Sequence, residues 1–186
     1  VTLETPTQMP NSDMEDWYYA NAAKTINCYF PWSSGGSSFW NTNNEFTTRY
    51  RSTVGGVAGA CPYNSFPAVS YVVGGHSGTH AAEIRNTASG RGNTIIFTNN
   101  VLEMNKVAGE LFTGDVAVKT GGSDAIPSGD HYTIDTNGRA FASRPTSMHF
   151  WYKYAPLKSD TWRAKLVLMD AAHEVIAEKE LTASNS

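Results

Sequence analysis

The sequence predicts an all-β protein, an antiparallel β-sandwich of the jelly-roll kind. Three observations support this fold class. The chain contains 19 Thr, 17 Ser and 14 Asn, and aromatic residues make up 12% of it, a composition that favours strands and long loops over helices. Apolar and polar residues alternate with a period of two along much of the second half of the chain. Turn residues recur between these alternating runs.

Seven runs from residue 68 onward have the residue pattern of β-strands. They lie at 68–75, 79–87, 93–98, 109–118, 147–156, 161–170 and 174–182, with a loop at 102–108. Alternation assigns side chains to opposite faces of a strand. Ala82 and Ile84 therefore oppose Glu83 and Arg85. In the fifth run the apolar face consists of Met148, Phe150, Tyr152 and Tyr154, and the other face of His149, Trp151 and Lys153. In the sixth run the inward residues are Trp162, Ala164, Leu166 and Leu168.

The first third of the chain is organised differently. Residues 1–13 are rich in Pro and Thr and predict a tail or linker before a single domain at 14–186. A short helix is predicted near 14–23, capped by Ser12 or Asp13. Residues 31–66 are dense in Gly, Ser, Asn and aromatic residues without apolar periodicity, which predicts long ordered loops.

Charge, hydrophobicity and cysteine content limit the classes of partner that the sequence allows. A net charge of −3 and a pI near 5.9 predict no nucleic-acid partner. No run approaches the roughly 18 apolar residues of a transmembrane helix. Cys28 and Cys61 match no zinc pattern and are compatible with either a disulfide or two buried thiols.

The segment "GGHSGTH" at 74–80 resembles a catalytic motif but predicts a turn. A serine nucleophile elbow requires Gly-x-Ser-x-Gly before a helix, whereas here Gly78 directly follows Ser77 and a strand comes next. His76 and His80 are four residues apart, a spacing that brings metal ligands together on a helix, which these glycines disfavour. A glycine turn that leads into a strand is the simpler interpretation.

Aromatic residues are the strongest indication of function. Sugar rings stack their C–H faces on aromatic rings, while polar side chains bind the hydroxyls at the rim. The predicted stacking residues are Trp32, Trp40, Tyr50 and Trp151, and the predicted rim residues are Asn43, Asn44, Glu45 and Arg51. The alternative is that these rings pack beneath the loops as a small additional core. No cofactor is required, and a structural calcium ion is compatible with such a module.

Paired carboxylates offer a catalytic alternative, because most glycosidases use two acids across a cleft. The candidates are Glu45, Glu83, Glu110 and Asp115. Their separation cannot be derived from the sequence.

Several motifs together resemble a known family. "DWYYAN", "FWNTNN", "GGHSGTHAAEIRNT", "AGELFTGDV" and "GRAFASRPTSMHFWYKYAP" occur in the order seen in the putative carbohydrate metabolism domain family, exported proteins of gut-type Gram-negative bacteria. The likeness covers about residues 14–182. It implies a galactose-binding-like β-sandwich outside the cytoplasm with a role in glycan handling. It also implies that "GGHSGTHAAEIRN" is a structural turn and core strand. The family domain continues with further closing strands, so the resemblance predicts that the last strands are missing here.

These observations predict a non-catalytic carbohydrate-binding module of an exported or cell-surface glycan-utilisation protein. Its partner would be a polysaccharide or glycan, and its location extracellular, at the cell surface or periplasmic, with a tether through another segment. A glycoside hydrolase and a cell-surface adhesion or assembly module are the alternatives.

Overall fold

A computed structural model describes residues 8–20, 28–48, 53–54, 57–58, 67–90, 104–118, 132–134, 138–143 and 145–184. The chain divides into two compact units, Val1–Arg144 and Pro145–Ser186. β-strands in antiparallel pairs dominate both units. No helix among the described residues is long and apolar enough to cross a membrane.

The first unit contains twelve described strands and one helical turn. The strands are β1 (Tyr18–Ala20), β2 (Cys28–Phe30), β3 (Trp40–Thr42), β4 (Thr53–Val54), β5 (Val57–Ala58), β6 (Val69–Val73), β7 (His80–Ile84), β8 (Thr87–Gly90), β9 (Met104–Val107), β10 (Leu111–Thr113), β11 (Val116–Val118) and β12 (Tyr132–Ile134), and the turn is α1 (Asn44–Thr47). The antiparallel pairs are β1 with β2, β3 with β10, β4 with β5, β6 with β7, β8 with β9, and β11 with β12. In the part of the chain that the structure describes, these pairs form no closed sandwich or jelly roll.

Three sequence predictions need correction in this unit. The helix predicted near 14–23 is wrong where the chain is described, because Tyr18–Ala20 forms a strand. Tyr18 stacks on Phe30 at 4.8 Å and Tyr19 meets Tyr29 edge to face at 5.4 Å, so cross-strand aromatic pairs favour the strand. The loop predicted at 102–108 contains β9, and the predicted loops at 31–66 contain short elements. The predicted strand 93–98 lies outside the described residues.

The "GGHSGTH" segment is a turn that leads into a strand, as predicted. β6 and β7 pair in register from Val69–Ile84 to Val73–His80, and residues 74–79 connect them. Gly74 has a φ of 109°, a conformation that favours glycine, and its N–H donates to the carbonyl of Thr79 at 2.8 Å. The hairpin therefore depends on a glycine at its first turn position.

A buried asparagine amide links elements of the first unit that are not paired as strands. The Asn44 side chain is 0% exposed, and its Nδ2 donates to the carbonyls of Tyr29 and Val69 at 2.8 and 2.7 Å. Its Oδ1 accepts from the backbone N–H of Val69 at 2.9 Å. One side chain thus connects β2, α1 and β6 through buried backbone groups, which need hydrogen-bond partners.

Neighbouring asparagines extend this polar core. Asn43 Nδ2 donates to the carbonyl of Ala108 at 2.8 Å, and Asn43 Oδ1 accepts from the N–H of Glu110 at 3.2 Å. Asn41 Nδ2 donates to the carbonyl of Gly114 at 3.3 Å. We call Asn41, Asn43 and Asn44 the asparagine cluster. Its hydrogen bonds connect the segment 41–44 to the residues that precede and follow β10.

The second unit is built on a long hairpin. β13 (Thr161–Met169) pairs with β14 (Val175–Ser184), with an irregularity between Leu168 and Met169. Trp162, Ala164, Leu166 and Leu168 are each partly buried, as the alternation predicts. The predicted strand at 147–156 is wrong, because these residues belong to no ladder.

An aromatic cluster organises the extended segment of this unit. Phe150, Tyr152 and Tyr154 all contact the ring of Trp162, at centroid distances of 6.3, 4.9 and 6.5 Å. These are the alternate residues that the sequence assigns to one face. Side-chain packing against Trp162, rather than backbone pairing, therefore holds the segment. This packing accounts for the alternating residue pattern of a segment that is not a strand.

Replacing Asn44 with Ala should destabilise the first unit by about 3 kcal/mol or more, because buried carbonyls and an N–H lose their partners. Urea denaturation followed by tryptophan fluorescence measures this loss. Asn86→Ala, at an exposed asparagine of the same unit, is the matched control and should change stability by less than about 0.5 kcal/mol. Equal effects of the two substitutions would contradict the role given to Asn44.

Candidate functional site

An open depression of about 400 Å³ lies in the first unit. Its lining comes from β1, β2, β3, α1 and β11, from the connection between β2 and β3, and from the connection between β10 and β11. It consists of Tyr18, Ala20, Phe30, Trp32, Ser38, Asn41, Glu45, Asp115 and Val116. Aromatic and polar side chains thus share one concave surface.

Three rings form the aromatic part of the depression. Tyr18 and Phe30 are stacked, with an interplanar angle of 15°. Trp32 meets Tyr18 edge to face at 5.6 Å and lies at 5.0 Å from Phe30. Trp32 is only partly buried, so part of its indole stays open to solvent. Burial raises the pKa of the Tyr18 hydroxyl, which keeps this group neutral and able to donate a hydrogen bond.

The position of Trp32 follows from the end of β2. Pro31 lacks an N–H and cannot continue the ladder beyond Phe30. Its carbonyl accepts a hydrogen bond from Asn11 Nδ2 at 2.9 Å, and Asn11 Oδ1 accepts from the N–H of Asp16 at 2.9 Å. Residues 8–13, part of the predicted tail, therefore contact the strand that presents Trp32.

The polar part of the depression is fixed by the asparagine cluster and by α1. Asn41 lies on β3 and holds the carbonyl of Gly114, next to Asp115. Glu45 lies in the first turn of α1, one residue after Asn44. Among the described residues the side-chain carboxyl of Glu45 makes no hydrogen bond or ion pair, and its charge contributes to the raised pKa of Tyr18.

Asp115, by contrast, is engaged by an arginine. Arg139 Nη1 donates to Asp115 Oδ2 at 3.0 Å, and Nη2 forms a second bond to Asp115 Oδ1. The same guanidinium donates to the carbonyls of Ser38 and Gly114 at 2.9 and 3.0 Å. The hydrogen bond from Arg139 holds the pKa of Asp115 below its ordinary value. Asp115 is therefore a carboxylate at neutral pH.

The structure brings some of the predicted site residues together. Trp32, Glu45 and Asp115 line the depression. Asn43 and Asn44, the predicted rim residues, do not line the depression: both are 0% exposed and bond to backbone groups of the core.

The remaining predicted residues lie elsewhere. Trp40 is partly buried, donates from Nε1 to the carbonyl of Pro10 at 2.9 Å and packs against Phe39, as expected of a small additional core. Trp151 is 78% exposed and belongs to the second unit. Tyr50 and Arg51 lie outside the described residues.

Two of the four candidate acids are engaged outside the depression. Glu83 lies on β7, and its carboxylate forms an ion pair at 3.2 Å with Arg85, the residue that follows this strand. Glu110 precedes β10, and its backbone N–H and carbonyl both bond to Asn43. Only Glu45 and Asp115 share the concave surface.

The sequence did not single out Tyr18, Ser38, Asn41 or Arg139. Tyr18 was assigned to a helix, and Arg139 reaches Ser38 across 101 residues of sequence. Such a contact leaves no trace in local spacing. Only the consecutive aromatic residues in "WYY" and "CYF", a residue type that favours strands, could have indicated the β1–β2 pair.

His80, which ends the "GGHSGTH" segment, contacts the carboxylate of Glu15. The carboxylate of Glu15 accepts from the backbone N–H of His80 at 2.8 Å and lies 3.1 Å from its Nδ1. The first of these contacts lowers the pKa of Glu15. Within the described ranges no three His, Cys, Asp or Glu side chains are grouped so as to hold a metal ion.

Cys28 is not a reactive thiol. It is a free, fully buried cysteine, and burial raises its pKa to about 12. Its thiol is therefore protonated at neutral pH and acts as a small apolar core residue. Cys61 lies outside the described residues.

A family model described as a putative carbohydrate metabolism domain matches residues 8–173 of the chain. No curated protein and no solved structure matches the chain significantly.

The ion pair between Arg139 and Asp115 predicts how the Asp115 carboxyl titrates. Its pKa in the folded chain lies below the ordinary 3.8, so the pair stabilises the fold above that pH. This contribution is lost as the pH falls through the lowered pKa. NMR titration of the Asp115 side-chain carboxyl should show a midpoint below 3.8, and Arg139→Gln should move it upward. An unchanged midpoint in Arg139→Gln would contradict the ion pair.

Proposed function

Because the chain belongs to the putative carbohydrate metabolism domain family, we propose that it is a non-catalytic carbohydrate-binding module. The depression in the first unit is its saccharide site. The observation that carries this proposal is the open indole of Trp32 beside an uncommitted carboxylate, Glu45, on one concave surface.

The chemistry of the depression suits a sugar ring. A pyranose presents an apolar C–H face to an aromatic ring and directs its hydroxyls outward. Trp32, supported by Tyr18 and Phe30, supplies the aromatic surface. Glu45 accepts hydrogen bonds from sugar hydroxyls, and bonds to a charged acceptor are stronger than neutral ones. The site needs no bound cofactor for this interaction.

Arg139 has a positioning role in this proposal. Its bonds to Asp115 and to the carbonyls of Ser38 and Gly114 fix the two polar segments that border the depression. A site held in place before binding loses less conformational entropy when it binds.

We place the module outside the cytoplasm, at the cell surface or in the periplasm, as part of a glycan-utilisation protein. Polysaccharides are found there, and the family description supports a carbohydrate-related role. A tether through another segment would hold the module near its glycan.

Trp151 is a candidate for a second contact surface. It is 78% exposed, and the neighbouring Tyr152 is 64% exposed. Contiguous exposed apolar surface marks contact sites on proteins. They serve either a further saccharide contact or the adhesion and assembly role that is the alternative for this protein.

A glycoside hydrolase is the second candidate function, because Glu45 and Asp115 line the same depression. Such an enzyme needs one protonated carboxyl as the general acid and one carboxylate. Arg139 keeps Asp115 ionised, so Glu45 would have to be the acid.

Replacing Trp32 with Ala should weaken saccharide binding about tenfold or more, because the stacking face is removed. A glycan array identifies the saccharide, and isothermal titration calorimetry measures its affinity. Trp32→Phe keeps an aromatic ring against Phe30 and should give an intermediate loss. Its binding remains informative even if Trp32→Ala does not fold.

Trp151→Ala tests the second surface: it should keep the affinity within about twofold if Trp151 serves adhesion or assembly, and should weaken it if Trp151 is a further saccharide contact. Loss of binding in Trp151→Ala with normal binding in both Trp32 variants would move the site to the second unit. A folded wild-type chain that binds no glycan would contradict the proposal as a whole.

Incubation of the chain with its bound polysaccharide should release no reducing ends above the background given by Glu45→Gln. A reducing-sugar assay checks this. Release by the wild type that Glu45→Gln abolishes would favour the hydrolase.

A further inference from the structure

Of the two acidic side chains that the described residues contribute to the depression, one is paired with an arginine and the other is not. Its charged lining residues among those described are Glu45 and Asp115, both acids. Arg139 neutralises Asp115 through two hydrogen bonds. Glu45 has no such partner in the described part of the chain, so the depression keeps about one uncompensated negative charge.

The arginine beside the depression is not available to an anionic ligand. Its Nε donates to the carbonyl of Ser38, and its two terminal nitrogens donate to Asp115 and to the carbonyl of Gly114. A guanidinium has five N–H donors in a fixed plane. With these donors directed at the protein, Arg139 cannot form the bidentate contact by which arginine recognises a carboxylate.

We infer that the site takes neutral saccharides and rejects uronic-acid saccharides, and that Glu45 is the specificity-determining residue. The inference rests on the proposed function and names its ligand class. A neutral sugar donates a hydroxyl hydrogen to the Glu45 carboxylate. A uronate presents oxygens without hydrogens at its C6 position and adds a like charge.

The expected discrimination is moderate. In a partly solvated depression, a second carboxylate about 6 Å from Glu45 would lower affinity about tenfold at moderate salt. The rings of Tyr18, Phe30 and Trp32 carry no charge, so they stack on both saccharides alike. The difference between the two ligands therefore depends on Glu45.

The experiment compares acidic oligosaccharides with their own carboxyl-reduced forms, which differ only at C6. Oligogalacturonate, oligoglucuronate and oligomannuronate with their reduced counterparts are titrated into the full chain by calorimetry. Glu45→Gln removes the charge but keeps an amide oxygen as acceptor. Glu180→Gln, an exposed residue of β14 in the second unit, makes the same change in net charge and is the control.

The wild type and Glu180→Gln should bind a reduced form about tenfold more tightly than its acidic parent, and Glu45→Gln should reduce this ratio to about twofold or less. An acidic form that binds the wild type as tightly as its reduced form would overturn the inference while the proposed function stands. A ratio that Glu45→Gln leaves unchanged would also overturn it. If no saccharide of the array or of this set binds the folded wild type, the proposed function itself fails.

Discussion

The first unit depends on the side-chain amide of Asn44. It makes three hydrogen bonds to backbone groups of Tyr29 and Val69, in a place without solvent. The strands that it joins, β2 and β6, are not paired with each other. The buried apolar side chains of the described core are small in number and include Cys28, Phe30, Ala68 and Val69. Because apolar burial is limited here, a satisfied polar network defines how these strands are arranged.

The same network positions the chemistry of the depression. Asn44 begins α1, so it fixes the turn that carries Glu45. Asn41, three residues earlier, holds the carbonyl of Gly114 and with it the residue before Asp115. Arg139 then joins Asp115 to Ser38. Scaffold and depression are therefore coupled through one short segment, "NTNNE", whose asparagines bond to the backbone of the core and whose glutamate lines the depression.

A short apolar run indicated β6, and period-two alternation indicated β7, β13 and β14, because alternation reports which face of a strand is buried. The alternation also placed Phe150, Tyr152 and Tyr154 on one side. It could not show that 147–156 packs through side chains without a ladder. The helix predicted over Tyr18 was wrong, since the pairing with Phe30 is a contact between separate segments. Asn43 and Asn44 were predicted as ligand contacts because the sequence alone does not show whether an asparagine is exposed or buried. Trp32, Glu45 and Asp115 were predicted individually, but their convergence on one depression required the fold.

The most direct test of this account is an NMR titration of the labelled chain with a neutral oligosaccharide that it binds. The indole N–H signal of Trp32 and the backbone amide of Glu45 should shift together and saturate with the ligand. The side-chain amide of Asn44 should stay in place and exchange slowly with solvent, because it lies in the core. Saturable binding that leaves the Trp32 and Glu45 signals unmoved would contradict the account.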